Sequence, residues 1–145
     1  MADEGERGVP SVVFTLGGER YALAASRVLE VAALRAFTPL PAAAAPLFGL
    51  SYWRGDVLTV IDLRGPLRVP AAGLTDLSRL IVVEHGAHPF AFLADAAPGV
   101  VAVEPGEVQP LGPAGEGPEL VAGVVPGGLI VIDPDALLRL VAGRA

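Results

Sequence analysis

The side chains that could do chemistry are few, and they do not combine into a recognisable site. Cysteine and lysine are absent from the sequence, which excludes thiolate nucleophiles, thiolate metal sites and Schiff-base catalysis. His85 and His88 flank a predicted turn, but beyond Glu84 no third metal ligand lies near them. The acidic pair Asp133 and Asp135 is explained by helix capping. The sequence therefore predicts no catalytic residue, no metal site and no cofactor.

Three other polar residues occupy positions where an apolar or small residue would be expected. Arg54 follows the aromatic pair Tyr52-Trp53 at a glycine turn, Glu30 interrupts an apolar strand, and Asp62 ends another. Each position has an ordinary explanation. Arg54 can be a solvated turn residue, Glu30 can lie on the solvent face of a half-buried strand, and Asp62 can cap the short turn that follows it. The local sequence alone leaves these alternatives open.

Length and charge restrict the classes of function. The chain has 145 residues, enough for one domain, and its 16 acidic residues outnumber 10 arginines for a net charge of −6. An acidic chain with scattered arginines is a poor binder of nucleic acid. No apolar run reaches the roughly 18 residues of a membrane span, and the acidic residues 1–10 are not typical of a signal peptide. We expect a cytoplasmic protein without direct membrane insertion.

Short apolar stretches separated by turn residues predict an all-β chain. A two-residue hairpin is expected at Gly17-Gly18, a turn at Arg54-Gly55 and a hairpin around Gly127-Gly128. The only predicted α-helix spans 134–141, with Asp133 as its N-cap. Three segments rich in Pro, Gly or Ala are expected to be irregular: 37–46, 64–76 and 104–118. Segment 64–76 is the best candidate for a linker.

The two halves of the chain resemble each other. Residues 56–63 align with 127–134, Gly17 and Tyr21 align with Gly86 and Phe90, and Gly49 precedes its hairpin as Gly123 does. Two β segments rich in Val and Ile can look alike by chance. The matching order of several features favours a duplication, and the repeat fits two small β-barrels.

Several stretches resemble one family. Residues 13–23 and 28–31 are similar to the opening of CheW-like chemotaxis coupling proteins, and 49–63 resembles their signature G-x-x-N-L-R-G-x-x-x-P-V-I-D-L. Parts of the second half are similar as well, so the resemblance covers about residues 11–141. The chain departs from the signature at Tyr52-Trp53, where the family has Asn-Leu, and at Thr59, where Pro is usual.

The resemblance implies a fold class and a domain organisation. The fold is all-β, with two small intertwined five-stranded SH3-like β-barrel subdomains and a short C-terminal helix. We expect a flexible tail over residues 1–10 and a single CheW-like domain over 11–145, with approximate subdomains 11–70 and 71–145.

The resemblance also implies a function. Such a protein is a non-catalytic signalling adaptor that couples the cytoplasmic tip of methyl-accepting chemotaxis receptors to the regulatory domain of a CheA-type histidine kinase. It is cytoplasmic and is recruited to membrane receptor arrays. The alternative is a divergent CheW-like interaction module that serves a non-receptor partner, such as a polarity or motility protein. Binding to a CheA-type kinase separates the two.

Carried over by position, the resemblance assigns roles to individual residues. Receptor binding is expected at Val28, Glu30 and Arg54, with Glu30 as the acidic partner of the signature arginine. Structural roles are expected for the remaining three positions, which are Gly49, Gly55 and Asp62. The sequence assigns no residue to contact with the kinase.

Overall fold

The computed structural model describes residues 8–34, 37–41, 45–70, 72–86, 88–111 and 117–142. The described chain is built almost entirely from strands, in the order β1 (Val9–Leu16), β2 (Glu19–Ala24), β3 (Val28–Ala33), β4 (Thr38–Pro39), β5 (Leu47–Trp53), β6 (Asp56–Ile61), β7 (Arg79–Val83), β8 (Phe90–Ala94), β9 (Ala96–Val103), β10 (Val121–Val125) and β11 (Leu129–Ile132). Two 3-10 turns, Ala25–Arg27 and Pro105–Glu107, and one C-terminal helix, α1 (Pro134–Ala142), complete the described elements.

The strands form two sheets. The first has five strands in the order β10-β11-β2-β1-β9, and the second has six in the order β3-β7-β8-β6-β5-β4. The predicted all-β class and the short C-terminal helix are confirmed. The second sheet exceeds the expected five strands because the two-residue strand β4 pairs with β5, in a segment that its prolines and alanines had marked as a loop.

Each sheet draws strands from both sides of residue 70, because two parallel pairs cross between the halves. In one pair Thr59 of β6 lies opposite Phe90 of β8, and in the other Ile130 of β11 lies opposite Tyr21 of β2. The sequence repeat aligns Thr59 with Ile130 and Tyr21 with Phe90. The two pairings are therefore equivalent, and in each of them the hairpin that opens one half, β1–β2 or β7–β8, joins a sheet whose other strands come from the other half.

Positive φ angles shape the three predicted hairpin turns. The angles are 61° and 84° at Gly17-Gly18, 53° and 85° at Arg54-Gly55, and 98° and 91° at Gly127-Gly128. The first two are two-residue hairpins, which require this conformation at both central residues for their twist to match the flanking strands. The third loop has three residues, because Val125 pairs with Leu129. Glycine adopts a positive φ without a steric cost, whereas Arg54 has a Cβ atom that disfavours it.

The main core lies where strands of both halves meet α1. Phe14 packs against Phe92 with ring centroids 4.9 Å apart, and Leu137 of α1 is fully buried in the same cluster. The helix begins as predicted. Oδ1 of Asp133 accepts hydrogen bonds from the amides of Asp135 at 3.0 Å and Ala136 at 3.4 Å, which satisfies donors that the first turn leaves free.

Two predicted boundaries differ in the structure. The first strand begins at Val9, because Val9 and Pro10 pair with Val103 and Ala102 of β9, and residues 1–7 of the predicted tail lie outside the described residues. The predicted linker 64–76 is wrong in its first part. Its Pro, Gly and Ala content is typical of a linker, but residues 64–68 turn tightly and bury Leu67 in the main core.

Candidate functional site

The exposed end of the β5–β6 hairpin brings together Glu30, Trp53 and Arg54. Glu30 lies in β3, whereas Trp53 ends β5 and Arg54 forms the turn into β6. The indole Nε1–H of Trp53 donates a hydrogen bond to Oε1 of Glu30 at 2.8 Å. A guanidinium nitrogen of Arg54 lies 3.7 Å from the same oxygen, and the Arg54 Cζ lies 4.6 Å from the centroid of the Trp53 ring. Two of the three predicted receptor-binding residues are thus adjacent.

The charged pair of this cluster is too exposed to contribute much to folding. The side chains of Arg54 and Glu30 are 70% and 42% exposed. An ion pair in that setting contributes only about 0–1 kcal/mol, and an exposed cation–π contact about 0.5–1 kcal/mol. The arrangement presents fixed charges to solvent, which suits recognition better than stability.

Apolar side chains border these charges. Val31 and Tyr52 line the same shallow pocket as Glu30 and Arg54, and buried Leu58 and Leu80 also line it. Tyr52 is 65% exposed, and its cross-strand partner Val57 is 59% exposed. Protein interfaces commonly combine aromatic residues and arginine with a polar rim. The patch can therefore hold the side chain of a protein partner.

Val28, the third residue predicted to bind the receptor, lies elsewhere. The pairing of β3 with β7 shifts register between Val28 and Glu30, so the two do not follow the usual alternation of a strand. Val28 is partly buried against the main core and does not line the pocket beside Arg54.

The three residues predicted to be structural occupy tight turns or close approaches. A Cβ atom on Gly49 would lie 2.5 Å from the carbonyl oxygen of Thr38, so only glycine fits between β4 and β5. Gly55 has a φ of 85° in its hairpin turn. Oδ1 of Asp62 accepts a hydrogen bond from the amide of Arg64 at 3.0 Å and caps the turn after β6.

Sequence reasoning missed a charged pair at the junction of the halves. Arg64, whose side chain is only 8% exposed, forms an ion pair with Asp95, and the other oxygen of Asp95 accepts a hydrogen bond from the amide of Gly17 at 2.9 Å. Burial acts to raise the pKa of Asp95, but the hydrogen bonds from Arg64 and Gly17 and the charge of Arg64 outweigh it and lower that pKa. The Arg64-Gly65 pair in a Pro/Gly-rich stretch gave no indication of burial.

The histidines lie in a groove next to the cluster, which shares Trp53 and Leu58 with the pocket beside Arg54. His85 and His88 line a groove of about 720 Å³ together with Asp56, and the His85 ring meets Phe90 edge-on with centroids 5.9 Å apart. Across the described ranges, no group of three or more His, Cys, Asp or Glu side chains could hold a metal ion. Within the same ranges, no helix is long and apolar enough to cross a membrane.

Comparisons with known proteins agree on one family. The sequence model of the CheW-like domain matches residues 10–142. The chemotaxis protein CheW of Bacillus subtilis (strain 168) is 28% identical over 109 residues, which are 75% of this chain and 70% of that protein. The chemotaxis protein CheW of Rhizobium meliloti (strain 1021) is 27% identical over 99 residues, 68% of this chain and 64% of that protein.

A solved structure has the same architecture. The crystal structure of the scaffolding protein TtCheW from Thermoanaerobacter tengcongensis superposes with a TM-score of 0.75 at 26% sequence identity. The match covers 87% of this chain and 84% of that one, so it includes both sheets rather than one repeat.

Proposed function

This chain belongs to the CheW-like domain family, and from that premise we propose that it is a non-catalytic adaptor in chemotaxis signalling. The adaptor couples the cytoplasmic tip of a methyl-accepting chemotaxis receptor to the regulatory domain of a CheA-type histidine kinase. It acts on the cytoplasmic side of the membrane, where it joins receptor arrays through its partners.

The observation that carries this proposal is the exposed cluster of Glu30, Trp53 and Arg54. The arginine is the one in the family signature, and its guanidinium lies 3.7 Å from the Glu30 carboxylate on β3. Its exposure leaves it able to contact a partner, and the apolar side chains beside it supply area that becomes buried on binding. We assign receptor binding to this surface.

The proposed kinase-binding surface lies away from this cluster. An adaptor that couples two proteins must bind both at once, so the two surfaces cannot overlap. Substitutions in the Glu30–Arg54 cluster should therefore leave kinase binding intact. The divergent module that serves a polarity or motility protein is not favoured, because the relatives named as chemotaxis proteins match over most of this chain.

The experiment measures both contacts and their combined effect. The full chain is titrated by calorimetry with a receptor-tip fragment and, separately, with the kinase regulatory domain. It is then added to receptor-containing membranes and kinase, where it should raise kinase autophosphorylation. Binding of the kinase domain without the receptor fragment, or binding of neither, would overturn the receptor-coupling role and point to the divergent module.

A further inference from the structure

Trp53 lies between the two charged side chains of the cluster, at a position where the family signature has leucine. We propose that Trp53 is a positioning residue: it holds the Glu30 carboxylate and leaves the Arg54 guanidinium free to bind a carboxylate on the receptor. This inference rests on the proposed function, because it describes how the same surface selects its partner.

The first support is that one oxygen of Glu30 is hydrogen-bonded to Trp53 and not to Arg54. Oε1 of Glu30 accepts the Trp53 indole N–H at 2.8 Å, whereas the Arg54 nitrogen is 3.7 Å away, beyond hydrogen-bond range. Among the residues that the structure describes, Arg54 forms no hydrogen bond. Its donors are thus available, although a carboxylate that could pair with them stands close by.

The second support is the orientation of the guanidinium group. The Cζ of Arg54 lies over the Trp53 ring, 4.6 Å from its centroid, so the guanidinium is in cation–π contact with the indole. The backbone of Arg54 is held at a φ of 53° by the hairpin turn. Stacking on the ring and the fixed turn together restrict where the N–H groups can point, which lowers the entropy lost when a partner binds.

The chemistry of the partner follows from the hydrogen-bond donors of Arg54 that are left unused. A guanidinium with free donors matches a carboxylate in a bidentate geometry. Exposed Tyr52 and Val31 beside it favour apolar side chains. We therefore expect the bound receptor segment to present an acidic residue flanked by apolar residues. A leucine at position 53 could neither contact the guanidinium through an aromatic ring nor donate to Glu30, and the carboxylate would then be free to accept hydrogen bonds from Arg54.

Binding measurements with four proteins test this. Trp53→Phe keeps an aromatic ring but loses the N–H, and we expect about tenfold weaker binding of the receptor-tip fragment. Trp53→Leu also loses the stacking, and binding should fall by about a further twofold to fivefold. In the double variant Trp53→Phe/Glu30→Gln, the competing carboxylate is gone, so affinity should recover toward that of the wild type.

The rescue separates positioning from a merely structural role. Loss of a packing contact would not be repaired by removing a second side chain. Thermal unfolding and binding of the kinase regulatory domain serve as controls, and both should stay close to the wild type in all variants. If Trp53→Phe binds the receptor fragment as well as the wild type does, or if the double variant is no better than Trp53→Phe, the positioning role is wrong while receptor coupling stands.

Tryptophan fluorescence tests the contact between Trp53 and Glu30 without any binding partner. Trp53 is the only tryptophan in the chain, so the emission of the full protein reports on this site alone. Glu30→Ala should change the emission intensity and increase acrylamide quenching, because the indole loses its acceptor. Arg139→Ala, which removes another surface ion pair, should leave the emission unchanged. If the wild type binds no receptor fragment, the proposed function fails, and this emission result then decides whether Trp53 holds Glu30.

Discussion

Buried Arg64 and half-buried Asp95 form an ion pair that joins the turn after β6 to the end of β8. The same carboxylate binds the Gly17 amide, so one side chain connects the first hairpin, the middle of the chain and the second half. Removing one partner of such a pair leaves the other charge buried without a counter-charge. The free-energy cost of that desolvated charge exceeds the stability that the intact pair contributes.

We therefore expect Asp95→Asn to lower the free energy of unfolding by about 2–3 kcal/mol. Urea unfolding at neutral pH measures this directly. Glu119→Gln is the matched control, because Glu119 pairs with Arg139 on the surface and both side chains are well exposed. The control should change stability by less than about 1 kcal/mol. If the two substitutions lowered the free energy of unfolding equally, the Arg64–Asp95 pair would be no more important for stability than a surface ion pair.

Stability at acid pH should contain a contribution from the same carboxyl group. Its folded-state pKa is lowered from the ordinary value of 3.8, in spite of burial, by its hydrogen bonds and by the charge of Arg64. The contribution is thus fully present above about pH 5 and is lost as the pH falls through the folded-state pKa. The stability difference between wild type and Asp95→Asn should shrink below about pH 4. A difference that stays constant down to the acid transition would contradict this.

Substitutions at Arg54 should separate binding from stability. Arg54→Ala should weaken binding of the receptor-tip fragment about thirtyfold, or about 2 kcal/mol, and leave kinase binding and the fold nearly unchanged. Arg54→Gly should weaken receptor binding equally but raise the melting temperature, because glycine adopts the φ of 53° without strain. Calorimetric titration and thermal unfolding provide the two readouts.

Arg139→Ala is the matched control for both Arg54 variants. Arg139 is also an exposed arginine in a surface ion pair, with Glu119 at 3.6 Å, but it lies on α1 away from the cluster. Arg139→Ala should change the affinity for neither the receptor-tip fragment nor the kinase regulatory domain. Unchanged receptor affinity in Arg54→Ala would exclude Arg54 from the receptor site.

A fragment of residues 1–70 should be unfolded. It contains β2 and β6, but their parallel partners β11 and β8 belong to the missing half, and so does β9, the outer neighbour of β1. Each half alone also has only a small core. Poor dispersion in the NMR spectrum of the fragment is the expected result. A well-dispersed spectrum would show that the first repeat closes its own sheet.

The purified chain should have no catalytic activity. Cysteine and lysine are absent from the sequence. Among the described residues, no hydrogen bond or ion pair joins the side chain of His85 or His88 to a carboxylate such as that of Asp56, which lines the same groove. Incubation with ATP should produce neither hydrolysis nor phosphotransfer above the background of a mock purification. Activity that co-purifies with the chain through two further columns would refute the adaptor role as proposed.

Local sequence was sufficient for features set by neighbouring residues. The three hairpins and the cap at Asp133 follow from turn and capping preferences, and the placement of Glu30 beside Arg54 followed from family resemblance. Contacts between distant residues were not accessible in the same way. Burial of Arg64 depends on Asp95, which is far away in sequence, and the hydrogen bond from Trp53 to Glu30 depends on a side-chain direction that alternation alone does not give.

The exchange of the hairpins β1–β2 and β7–β8 between the two sheets has a consequence for the ancestry of such a chain. A polypeptide holding one repeat would lack the parallel partner for its own hairpin, because that strand comes from the other repeat. Two copies related by a twofold axis would cover each other's open edges as a domain-swapped homodimer. Joining the copies in one polypeptide makes the axis internal and frees each copy to diverge. After the equivalent residues Asp62 and Asp133, one copy now continues into a tight turn and the other into α1.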